Sequence, residues 1–125
     1  MKPYDEEREI ATYVWQFHCD LFTAAEKRAY GPYYWERMRA EKHRDIVEFE
    51  WKRHRIAEDA EVMALIADGV DVFHRRAAQR VVREHADEVF LNRCPRCNRV
   101  VRTPRALQCL WCGNDWHSMA ATDAD

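Results

Sequence analysis

At 125 residues the chain has room for one domain, or for a small domain with a metal-stapled appendage, and its 47% apolar and 34% charged residues suit long solvated helices. Three Gly and four Pro leave little material for a multi-strand β fold, and a net charge of −2 gives no global electrostatic case for nucleic acid. No apolar run approaches the roughly 18 residues of a membrane span and no basic-then-apolar leader opens the chain, so a cytoplasmic protein without membrane contact is expected.

The charge is unevenly spread. Residues 1–89 carry 15 Lys and Arg against 19 Asp and Glu, whereas residues 90–118 carry five Arg against one acid, Asp115. Within the acidic part, residues 5–18 place Ile10, Tyr13, Val14 and Phe17 at helical spacing, with Trp15 and Leu21 widening the apolar face. Asp5, Glu6, Glu7 and Glu9 suit the positive end of that helix. Thr23-Ala24-Ala25-Glu26 reads as a capping box opening a short second helix, which Gly31-Pro32 is expected to close.

A long charged helix is expected from about Tyr33 to Arg55, with a stripe of Tyr34, Trp35, Met38, Ile46, Phe49 and Ile56 interrupted near Lys42. Ala57 to Asp68 continues as a helical piece through Val62, Leu65 and Ile66, with Gly69 as its left-handed stop. Val70 to Val89 forms the last helix, with Val70, Phe73, Ala77, Val81 and Val82 inward.

The strongest signal follows. Cys94-Pro95-Arg96-Cys97 is answered, with eleven residues between, by Cys109-Leu110-Trp111-Cys112-Gly113. Two Cys-x-x-Cys pairs at this spacing converge on one tetrahedral metal ion, and a four-cysteine shell closes a structural site. One zinc ion is the expected cofactor, since a reducing compartment favours metal over disulfides. Pro95 pre-sets one knuckle turn, and Gly113 supplies backbone freedom beyond the other. Val100-Val101 and Ala106-Leu107 flank Thr103-Pro104-Arg105, which predicts two short strands joined by a turn: a zinc ribbon. There is no internal repeat and no low-complexity linker, so ribbon and helices are expected to pack as one unit. The fold expected is mainly α, four or five helices over residues 1–89 followed by the ribbon over 90–118, with 119–125 a disordered tail.

The run Asp68-Gly69, then Glu88 through Cys97, together with Arg102 to Ala106 and Cys112-Gly113-Asn114-Asp115-Trp116-His117, resembles an uncharacterised bacterial family of small helical proteins. Tyr13-Val14-Trp15 to Arg28-Ala29-Tyr30 fits more loosely. The resemblance implies a helical body with a C-terminal zinc ribbon and brings no activity with it. Asn98 departs from the Gly that the family prefers after the first knuckle, but Asn also tolerates the left-handed conformation.

Other groups admit simpler roles beside the functional ones. Arg93, Arg96, Arg99, Arg102 and Arg105 recur at every third position. They suit a phosphate-backbone surface, with Trp111 and Trp116 as stacking platforms, but equally offset the −2 charge of a zinc tetrathiolate or pair with the acidic body. The arginines point in several directions, which favours offset. The knuckles also resemble those of rubredoxins, where iron carries electrons, but those are separated by a much longer segment. Cys19 beside His18 is expected to be a buried structural cysteine, and His117 has no vacant position to fill as a ligand. Glu50 with His54, and Asp71 with His74, share helix faces at spacings that arise by chance in so charged a chain. No nucleophile, base and oxyanion donors assemble, so no enzyme is expected. The function expected is a non-enzymatic zinc-ribbon interaction module with a protein partner. Alternatives are a nucleic-acid-binding protein using the arginines and, further off, an iron electron carrier. The large apolar groups of the middle helix point to a homodimer.

Overall fold

The computed structural model describes residues 3–41 and 45–118. The expectations for Lys42 and for 119–125 lie outside them. Five α-helices are described: α1 (Glu6–Phe17), α2 (Ala24–Glu41), α3 (Asp45–Arg53), α4 (Ala60–Leu65) and α5 (Val70–Glu84). There is no sheet among the described residues, and the four cysteines follow α5.

Local chemistry sets the helix starts. Asp5 caps α1 by accepting the Arg8 N–H at 3.2 Å, and its other oxygen accepts from Arg75 of α5 at 3.0 Å. The Thr23 capping box forms in both directions: the Thr23 N–H donates to Glu26 at 2.8 Å, and the Glu26 N–H to the Thr23 hydroxyl at 3.1 Å. Glu26 is buried, and Arg80 of α5 reaches the same carboxylate at 2.6 Å. One side chain thus caps α2 and ties it to α5.

Gly31-Pro32 does not end α2, contrary to expectation; the helix continues to Glu41. Proline disfavours helical backbone in the preceding residue through clashes that involve its Cβ, and Gly31 has none. Burial does the rest: Pro32 is fully buried, and the Trp35 indole lies 3.0 Å from where a Cβ on Gly31 would sit.

The single long helix from Tyr33 to Arg55 is also corrected. The Trp35 indole stacks on the His54 imidazole with centroids 5.0 Å apart. An uninterrupted helix over that interval would separate them by about 28 Å. Instead α3 folds back on α2. Gly69 has φ 108° and ψ 151°, so it is not the left-handed stop of α4 but the residue that opens α5. That helix ends at Glu84 rather than near Val89.

The core sits where α1, α2 and α5 meet. Ala11, Val14, Phe73, Ala77 and Val81 are buried there, as the helical spacing predicts for most of them. Phe22, Trp15, His74 and Tyr33 form a continuous stack, with successive centroids 3.6, 5.8 and 3.8 Å apart and planes within 11°. The Trp15 indole N–H donates to the His74 carbonyl at 3.0 Å. Burial, reinforced by Arg37 and Arg75, brings His74 down to about 3, so it is neutral within the stack.

Candidate metal centre

The chain after α5 makes two knuckles built alike. In the first, the Cys94 N–H donates to Arg99 O, Asn98 N–H to Cys94 O and Val101 N–H to Asn92 O, at 2.9, 2.8 and 2.9 Å. In the second, Cys109 N–H donates to Asn114 O, Gly113 N–H to Cys109 O and Trp116 N–H to Leu107 O, at 2.8, 2.9 and 2.9 Å. One antiparallel bridge closes each, Arg93 with Val100 and Gln108 with Asp115. The left-handed residue after each second cysteine is Asn98 (φ 63°) or Gly113 (φ 80°).

The knuckles are therefore a structural repeat, where the sequence shows none. Apart from the cysteines, equivalent positions hold different residue types, and the shared pattern lies in backbone bonds. The expected pair of strands, Val100-Val101 with Ala106-Leu107, does not form. Each arm pairs within its own knuckle, and the turn between is tied by the Asn92 amide, which donates to Thr103 O and Ala106 O, both at 2.9 Å.

This backbone brings the Sγ atoms of Cys94, Cys97, Cys109 and Cys112 within 4.8 Å of one another. Cys94 and Cys112 are 3.6 Å apart, Cys97 and Cys109 3.7 Å. A tetrahedral ion with bonds of about 2.3 Å sets its sulfurs about 3.8 Å apart, so the four thiols fit one. The distances are far beyond an S–S bond of about 2.05 Å, and all five cysteines are free. The Arg96 N–H points at Cys94 Sγ (3.4 Å) and the Cys112 N–H at Cys109 Sγ (3.5 Å).

The electrostatics suit a cation. Burial opposes ionisation of Cys94, but the N–H groups of Cys97 and Arg96 with the Cys112 and Cys97 thiols outweigh it and bring Cys94 down to about 6. The Arg99 N–H favours a thiolate at Cys97, but burial and the crowding of Cys109, Cys112 and Cys94 push that thiol up to about 11. A central cation removes this conflict by stabilising all four thiolates together.

The five arginines do not act as one set. Arg93 pairs with Glu6 of α1 at 2.8 Å and donates to Asn98 O. Arg99 lies over the Tyr4 ring, 5.3 Å from its centroid. Arg96, Arg102 and Arg105 are exposed, and their side chains have no ion pair among the described residues. His117 stands apart from the thiols and pairs with Asp115 at 2.6 Å.

Cys19 is exposed rather than buried, because α1 ends at Phe17 and Cys19 opens a short 3-10 turn. Glu50 and His54 lie 3.2 Å apart, and His74 is in the core. Among the described residues only the four cysteines make a metal-ligand cluster.

Two residues seat the module in a way that their place in the sequence does not signal. The Tyr4 hydroxyl accepts the Val100 N–H at 3.0 Å, and its ring meets Trp111 edge-on at 5.0 Å. The Tyr13 hydroxyl bonds Phe90 and Asn92. Val100 itself is buried in the helical core. Also among the described residues, no helix is long and apolar enough to cross a membrane. Comparison with protein-family models, curated proteins and solved structures gives no match to this chain.

Proposed function

We propose that the chain is a non-enzymatic zinc-ribbon protein in which one structural zinc ion, held by Cys94, Cys97, Cys109 and Cys112, fixes a C-terminal module against a helical body. The observation that carries this reading is the near-tetrahedral spacing of four thiols on two matched knuckles. With every ligand position taken by cysteine, the shell leaves no place for substrate, as in structural rather than catalytic zinc sites. Zinc is the best match to a four-thiolate tetrahedron in a reducing cytoplasm, with iron the competitor. The test is the metal content of purified full-length protein. One zinc per chain is expected, and stoichiometric iron with its thiolate colour overturns the assignment.

The assembled surface serves a protein partner, and the first partner to test is a second copy. Tyr34 and Phe49 are 50% and 61% exposed on α2 and α3, unlike Trp35 and Trp51, which pack against the core. Light scattering is expected to give a dimer that Phe49→Ser weakens; a concentration-independent monomer overturns it. The nucleic-acid reading keeps one supporting observation, the exposed and unpaired Arg96, Arg102 and Arg105. It requires oligonucleotide binding that falls steeply as salt rises.

A further inference from the structure

We propose that the junction between the helical body and the cysteine module is a binding cleft for a small phosphate-bearing ligand. A cleft of about 460 Å³ opens there, within the size range of sites for small organic molecules. Its walls come from three parts of the chain: Arg8, Glu9 and Tyr13 of α1, Arg37 of α2, and Arg102 with Trp111 of the module. Among the described residues, three guanidinium groups against one carboxylate leave an excess of positive charge. Glu9 lies 3.8 Å from Arg8 and offsets that one.

The guanidinium groups are partly placed in advance. Arg8 donates to Pro3 O at 2.8 Å, and Arg37 to the Tyr33 hydroxyl at 2.8 Å. Arg102 is exposed and makes no hydrogen bond or ion pair among the described residues. The planar guanidinium fork takes phosphate oxygens in pairs, and fixing it beforehand lowers the ordering cost of binding. Trp111 adds an aromatic wall: its indole Nε1 is buried and faces no solvent, so what it presents to the cleft is the ring, which suits an attached ring of the ligand. The excess of about two positive charges matches a phosphomonoester, which carries about −1.5 to −2 at neutral pH, better than a monocarboxylate.

The test titrates the metal-loaded full chain with inorganic phosphate, pyrophosphate and adenosine monophosphate, followed by tryptophan fluorescence and calorimetry. Saturable binding of the mononucleotide is expected, tighter than that of inorganic phosphate. Arg102→Ala is expected to weaken it by about tenfold or more, with metal content and helix signal unchanged because Arg102 has no structural partner. Arg96→Ala, on the first knuckle and outside the cleft, is expected to leave the affinity as it was. Absence of saturable binding for all three probes overturns the proposal. So does equal weakening by Arg96→Ala and Arg102→Ala, which marks diffuse surface charge, or binding seen only with an oligonucleotide.

Discussion

The Tyr13 hydroxyl donates to the Phe90 carbonyl at 2.7 Å, joining the first helix to the strand-like segment that leads into the cysteines. The same oxygen accepts the Asn92 N–H at 3.3 Å, and the Tyr13 side chain is buried in the helical core. One phenol therefore makes two of the hydrogen bonds that join body and module, beside those of Tyr4 and Arg93. Tyr13→Phe keeps the ring and removes both bonds, leaving two part-buried backbone groups without that partner. A loss of about 2 kcal/mol is expected in denaturant unfolding, with faster proteolysis near Phe90 and unchanged metal content.

Replacing Cys94, Cys97, Cys109 or Cys112 with Ser is expected to abolish tight metal binding and to unfold residues from about Phe90 to His117. The module buries too few apolar groups to offset its chain entropy, whereas structural zinc in comparable peptides contributes roughly 10–16 kcal/mol. Most of the helix signal should survive, because the stack of Phe22, Trp15, His74 and Tyr33 lies away from the cysteines. The body should nonetheless lose about 2–4 kcal/mol, since Val100 and the Tyr13 bonds go with the module. Chelation followed by circular dichroism and limited proteolysis checks this, with Cys19→Ser as the variant that leaves metal content untouched. Protection of the C-terminal segment in metal-free protein would contradict it.

Gly31→Ala tests why a helix can run through Gly-Pro. The new Cβ would meet the Trp35 ring at 3.0 and 3.1 Å, and that ring is held against His54. It also restores the clash that Pro32 imposes on a preceding side chain. About 1–3 kcal/mol of destabilisation is expected in thermal unfolding. In a Trp35→Leu background the cost should shrink; an equal cost there would place the whole effect in the backbone.

His74 makes acid stability a readout of the core. Its folded pKa of about 3 lies below the ordinary 6.5, so the unfolded chain takes up the proton first. Its contribution is therefore complete above about 6.5 and falls by about 1.4 kcal/mol per pH unit as the pH drops towards 3. His74→Phe keeps the stack between Trp15 and Tyr33 and removes the titration. Acid also protonates thiolate at Cys94 in both proteins, so the quantity to follow is the difference between them. The variant should gain stability relative to the parent as pH falls from 6.5; a constant difference would show that His74 is charged when folded.

The sequence alone determined the features whose physics is local. Cys-x-x-Cys sets two thiols on one turn, and two such pairs name, before any fold is known, the four thiols that come together. The Thr23–Glu26 box and the inward Phe73, Ala77 and Val81 were legible for the same reason: partners three or four residues apart meet in any helix. Tertiary structure alone decided whatever depends on partners far along the chain. Pro32 reads as a stop until burial and Trp35 hold the helix through it, and the Tyr33–Arg55 periodicity cannot reveal that His54 returns to Trp35. The five arginines look equivalent at every third position, yet Glu6 takes Arg93, Tyr4 takes Arg99, and Arg102 is left to the cleft. The likeness of the knuckles was hidden because it is written in main-chain hydrogen bonds, which side-chain identity does not record. Where each group ends up is settled by the burial and pairing of the whole chain, and a spacing rule reaches no farther than a few residues.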